Sequence, residues 1–103
     1  MKKKIYYDKN ATKEFKDFRR EVQREFQAHI EILGRKGRLE FPEAKKIAKN
    51  LFEIRVSEKE AYRGIYAYIW KEHVIILHFF QKKTRKTPIK DLKIAKERLK
   101  RYE

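Results

Sequence analysis

Residues 74–80 read Val-Ile-Ile-Leu-His-Phe-Phe, seven positions with a single polar side chain. The run is far too short to cross a bilayer, which takes roughly 20 apolar residues. Its β-branched and aromatic residues predict a strand. A strand that is apolar on both faces has to be covered on both, so it belongs inside a sheet. The residues before it supply its neighbours. Tyr62–Trp70 is rich in aromatic residues and Ile, and Leu51–Val56 alternates. Polar turns at Ser57–Glu60 and Lys71–His73 join the three into an antiparallel meander, with Val74–Phe80 expected at its centre.

The N-terminal half follows a different period. Ile5-Tyr6-Tyr7 is a short strand candidate, interrupted by Asp8-Lys9-Asn10. Asn10 or Thr12 can cap the helix that follows. From Ala11 to about Leu33 the apolar residues Phe15, Phe18, Val22, Phe26, Ile30 and Leu33 recur every three or four positions, which is one helical stripe. This is either one helix of roughly 35 Å or an α-hairpin broken near Phe18–Arg20. Gly34 and Gly37 end it. Pro42 is expected to open a short helix through Lys49, with Ala44, Ile47 and Ala48 inward. Thr87-Pro88 marks another helix start, with Thr as cap, Pro as first helical residue and Asp91 in the first turn. Ile89, Leu92, Ala95 and Leu99 then form an apolar stripe up to Tyr102. A chain of 103 residues has room for one core, so residues 1–103 are read as a single α+β domain. Helices pack on one face of an antiparallel sheet and the other face stays partly open.

Charge narrows the function. The net charge is +14, and residues 81–103 carry half of that excess. A surface this basic repels itself. A polyanion relieves the repulsion, and nucleic acid does so with a gain from released counterions. The basic string from Gln81 to Thr87 runs from a strand towards a helix start, where backbone amides add to the side-chain charge. There are no cysteines, so neither a disulfide scaffold nor a thiolate metal site is available. Met1-Lys-Lys-Lys4 has no apolar stretch of signal-peptide length after it. A soluble, cytoplasmic chain that meets no membrane is expected.

Arg55 and Arg63 fall inside adjacent strands, each flanked by apolar residues. Such an arginine either presents its guanidinium to phosphate on an open face or pairs with a carboxylate such as Glu53 or Glu60. Tyr62, Tyr66, Tyr68, Trp70, Phe79 and Phe80 are core residues or base-stacking platforms. His29, His73 and His78 lack metal-ligand spacing, and His78 reads as a hydrogen-bonded core histidine. No phosphate-cradling Gly loop and no Ser/His/Asp pattern is present.

Taken in order, Leu51-Phe-Glu-Ile-Arg55, Tyr62-Arg63 with Tyr66, Ile76-Leu-His-Phe-Phe-Gln-Lys-Lys-Thr-Arg-Lys-Thr-Pro88, and Ala95 and Arg98 before Tyr102 resemble the HigB-like, phage-derived branch of the RelE/ParE toxin superfamily. The likeness spans nearly the whole chain. It implies the RelE-like fold and the toxin of a type II toxin–antitoxin system, an endoribonuclease that enters the ribosomal A site and cuts mRNA. Its chemistry would be attack of the ribose 2′-hydroxyl on the adjacent phosphate, without a metal or cofactor. Cations that meet the extra charge of a pentacoordinate phosphate then count most in the transition state. Its implied partners are the ribosome, mRNA and a cognate antitoxin, expected to be a helix-turn-helix protein. Carried over by position, Arg55, Arg63, Lys82 and Lys83 are the implied catalytic residues, and Arg85, Lys86 and Arg98 the implied RNA contacts. The resemblance implies that Arg63 is the principal phosphate stabiliser. Arginine cannot serve as a base, so proton transfer falls to Glu43, Glu53, His78, a lysine of lowered pKa or Tyr102. A gyrase-targeting ParE-like toxin, or a basic RNA-binding protein of the same fold without catalysis, is the alternative.

Overall fold

A computed structural model describes residues 2–56, 61–70, 73–83 and 86–103. The chain runs β1 (Lys4–Tyr7), α1 (Lys9–Lys16), α2 (Arg20–Lys36), β2 (Ala44–Ala48), β3 (Leu51–Val56), β4 (Tyr62–Ile69), β5 (His73–Gln81) and α3 (Ile89–Leu99). The five strands form one sheet in the order β1-β5-β4-β3-β2. The β3-β4-β5 meander is antiparallel, as its short connections require. β1 adds to the outer side of β5 in parallel, so the sheet is mixed rather than wholly antiparallel. β5 is therefore interior, as its apolar run demands, while β4 holds the central position.

The helical stripe is real and it is broken. α1 stops at Lys16, and α2 restarts after Arg19. Val22, Phe26, Ile30 and Leu33 are buried, and Phe15 and Phe18 pack against the same core from before and within the break. The cap of α1 is Asp8, not Asn10 or Thr12. Its buried Oδ1 accepts from the Asn10 and Ala11 amides at 2.8 and 3.2 Å, satisfying two amides at the helix start. Gly37, at φ 85°, ends α2 by donating its amide to the Leu33 carbonyl. Gly34 lies inside α2 instead of ending it. A Cβ there would sit 3.3 Å from Ile5, because β1 crosses closely and the Lys3 amide donates to the Gly34 carbonyl at 2.7 Å.

Helices cover both faces of the sheet. α1 and α2 bury Ile54, Val56, Tyr66, Ile76 and Phe79 on one face. α3 covers Leu51, Ile65, Ala67, Ile75 and Leu77 on the other through Ala95 and Leu99. The expected helix over 42–49 is the strand β2. Lys45 and Lys46 pair with Glu53 and Phe52 across a hairpin whose Asn50 takes φ 51°. The Asn50 side chain completes the turn, donating to the Tyr68 carbonyl at 2.8 Å and accepting the Tyr68 amide at 3.0 Å. Strand pairing outweighs the weak helical pattern of this segment. At α3 the cap position is Pro88, with no side-chain cap bond, and the Thr87 hydroxyl is used elsewhere.

Candidate functional site

α3 covers only part of its face. Beyond its N-terminus the sheet opens into a hollow of about 390 Å³ lined by Lys45, Lys46, Ile47, Glu53, Arg55, Lys82, Lys86, Thr87 and Leu92. Strand register explains the convergence. Lys45 faces Glu53 across β2 and β3, and Arg55 faces Arg63 across β3 and β4. Lys82 follows β5 directly and is anchored by its amide to the Ala61 carbonyl at 2.9 Å. Lys86 and Thr87, shortly before α3, complete this side of the lining.

The centre of the floor is Glu53, buried with 2% exposure. It accepts the Thr87 hydroxyl at 2.6 Å. Its other oxygen lies 3.4 Å from Nε of Arg63. That approach is an ion pair but not a hydrogen bond, since Nε is buried without an acceptor. Arg63 itself is 7% exposed, and one terminal nitrogen donates to the Tyr62 carbonyl at 2.9 Å. Burial lowers the Arg63 pKa, the Glu53 charge opposes that shift, and Arg55 adds to it. Lys82 is similarly placed. Burial lowers its pKa first, Glu53 opposes, and the cations Arg63, Arg55 and Lys45 lower it further. The hollow thus holds more positive charge than its one carboxylate neutralises.

Of the residues expected at the site, Arg55, Lys82 and Lys86 line this hollow, and Arg63 does not line it but pairs with Glu53, which does. Arg63 has the carboxylate partner that one of its two readings required, and that partner, Glu53, lines the hollow. Lys83 is exposed and is not part of the lining. Arg85 lies outside the described residues. Arg98 is placed elsewhere: its guanidinium makes a two-pronged contact with Glu14, 3.0 Å to each oxygen, and donates to the Leu77 carbonyl at 2.9 Å. An arginine committed to an internal carboxylate in this way is structural. Lys45 and Lys46 join the hollow unforeseen, because only the β2–β3 pairing brings them there.

The proton-transfer candidates separate in the same way. His78 and Tyr102 belong to the Arg98 cluster. A bulge in β5, where Leu77 and His78 together face Ile65, turns the His78 ring so that Nδ1 meets Glu14 at 2.9 Å and Nε2 meets Asp91 at 2.7 Å. Tyr102 donates to Asp8 at 2.8 Å. Burial alone would raise the Glu14 pKa, but hydrogen bonds from His78, Arg98 and the Phe79 amide hold it at about 2. This cluster ties α1, β5 and α3 together. Glu53 and Lys82 remain in the hollow, and Glu43 does not line it. Among the described residues no group of three or more His, Asp or Glu side chains is arranged to hold a metal ion. No helix among them is long and apolar enough to cross a membrane.

Residues 13–100 match the family described as phage-derived protein Gp49-like. The fold is that of the E. coli toxin RelE. A mutant of that toxin in the free state superposes with a TM-score of 0.69 at 17% identity, over 98% of each chain. The isolated E. coli RelE toxin superposes with a TM-score of 0.64 at 16% identity, over 96% of this chain and 97% of that one. No curated protein matches the sequence.

Proposed function

The chain belongs to the phage-derived Gp49-like family, and on that premise we propose that it is a toxin of the RelE type, an endoribonuclease that cuts mRNA on the ribosome. The observation that carries this reading is the convergence of Arg55, Lys82 and Lys86 with Lys45 and Lys46 on one open hollow, with Arg63 paired to its Glu53. Cations held in place before the substrate arrives are what attack on a phosphodiester needs.

In the reaction, the 2′-oxygen forms a bond to phosphorus and the bond to the 5′-oxygen breaks. The products are a 2′,3′-cyclic phosphate and a free 5′-hydroxyl. The 2′-proton leaves to a base, and the 5′-oxygen gains a proton. Arg63 and Arg55 are assigned to the charge of the pentacoordinate phosphate. Lys82 is assigned as donor to the 5′-oxygen, because its lowered pKa loosens a proton that an ordinary lysine keeps. Both oxygens of Glu53 are engaged, one by Thr87 and one by Arg63, which suits it to hold these groups in place. An antitoxin, expected to be a helix-turn-helix protein encoded beside it, would mask the site, and the cytoplasm is where such a toxin meets ribosomes.

The test is translation in vitro followed by primer extension. Wild type should produce cuts that require ribosomes, and Lys82→Met should not, while retaining the wild-type circular dichroism spectrum. An intact message with wild-type protein refutes the reading. Inhibited gyrase supercoiling beside an intact message would establish the ParE-like alternative.

A further inference from the structure

The end of the sheet away from the hollow carries an exposed aromatic cluster that the proposed chemistry does not use. Trp70, the only tryptophan of the chain, is 62% exposed just past the end of β4. Its backbone is in the left-handed region at φ 49°, an unfavourable setting for a bulky residue. Tyr6, on the edge strand β1, is 40% exposed. Tyr6, Trp70 and His73 meet edge to face, with ring centroids 5.4–6.2 Å apart. The three rings pack against one another and leave most of the Trp70 side chain in solvent.

The surroundings say what such a face would receive. Lys2 and Lys4 are exposed beside β1. On the same side of the molecule, α3 exposes Lys93, Lys96 and a single acid, Glu97, with Lys100 exposed just past its end. Tyr6 pairs with Ile75, a residue of the α3-covered face, so cluster, lysine stripe and hollow share one side of the molecule. The length of β4 separates the two ends by roughly 20 Å. An apolar protein partner would not be matched by this lysine setting. A single nucleic-acid strand is, because its phosphates meet the lysines and its bases offer π-faces to exposed rings.

We propose that Trp70, braced by Tyr6 and His73, is a stacking platform for an unpaired RNA base, forming a second RNA contact reached from the hollow along the lysines of α3. The proposal rests on the RNA-directed reading above and extends it to binding of RNA remote from the scissile linkage. It does not depend on cleavage.

Because Trp70 is the only tryptophan, its fluorescence reports on this surface alone. The probe is a 2′-O-methyl oligoribonucleotide of roughly ten nucleotides, long enough to span the stripe and unable to be cut. Titration should quench Trp70 emission. An abasic strand of equal length and charge should bind without that quench. Trp70→Ala should weaken binding of the base-containing strand by about tenfold and leave the abasic strand unaffected. Lys82→Met should leave the quench at saturation unchanged, so loss of cleavage and loss of stacking are read separately. Unmoved emission, or equal affinity in Trp70→Ala, overturns the proposal. Emission that ignores RNA but shifts with the concentration of the protein itself marks a contact between copies and overturns it as well.

Discussion

Replacing Arg63 with Ala tests the buried pair at the hollow most directly, and the structure sets the size of the effect. Arg63 and Glu53 are 7% and 2% exposed and lie 3.4 Å apart. Truncating the arginine strands the Glu53 carboxylate in a buried position, and breaking a buried pair from one side costs about 3–5 kcal/mol. Two groups soften the loss, since Thr87 still donates to Glu53 and the Lys82 charge still acts on it. The low end, about 3 kcal/mol, is therefore expected. For a domain of this size that lowers Tm by roughly 12–24 °C. A stability of about 5–15 kcal/mol leaves the variant folded at room temperature, so its activity can be assayed. Thermal unfolding followed by circular dichroism measures the drop. The double variant Glu53→Gln/Arg63→Ala removes the stranded charge while its amide can still accept from Thr87. It should regain about 1–2 kcal/mol over Arg63→Ala and still fail to cut mRNA. If Arg63→Ala melts within a few degrees of wild type, or the double variant melts no higher than the single one, the account of a desolvated pair in the site is refuted.

Three further outcomes follow from the geometry. Lys82 acts as a proton donor only while protonated, so ribosome-dependent cleavage should fall as pH rises through its lowered pKa. Lys82→Arg should move that alkaline limb upward, and Lys82→Met should reduce the single-turnover rate by about 10²-fold or more. Glu14, held at about 2 against an ordinary 4.5, stabilises the fold above pH 4.5, and that contribution is lost as pH falls towards 2. With its partial exposure taken into account this amounts to about 2 kcal/mol. Urea midpoints at several pH values should show the gap between wild type and Glu14→Gln closing over this range. Gly64→Ala would bring a Cβ to 3.1 Å from the Phe79 ring and 3.2 Å from the Phe26 ring. It should cost about 1–3 kcal/mol in chemical denaturation.

What the sequence determined by itself was the main elements that a strong hydrophobic period or composition controls. The apolar run 74–80 demanded an interior strand, the 3-and-4 spacing from Phe15 to Leu33 demanded a helical face, and the excess of lysine and arginine made the surface strongly basic. Even the break between α1 and α2 was legible, as one of two options, from the residues around Phe18. His78 was readable as a bonded core residue because an isolated histidine in an apolar strand has to find partners. Tertiary structure decided what pairs with what. Residues 42–49 have no strong period of their own, so hydrogen bonding to β3 made them a strand and carried Lys45 and Lys46 into the hollow. Arg98 and Lys82 sit in equally basic stretches, yet one meets the Glu14 carboxylate and the other a crowd of cations around Glu53. Charge is a property of the residue, but its use depends on what the fold sets within a few ångströms of it, and strand register and helix packing fix that only once the whole chain is assembled.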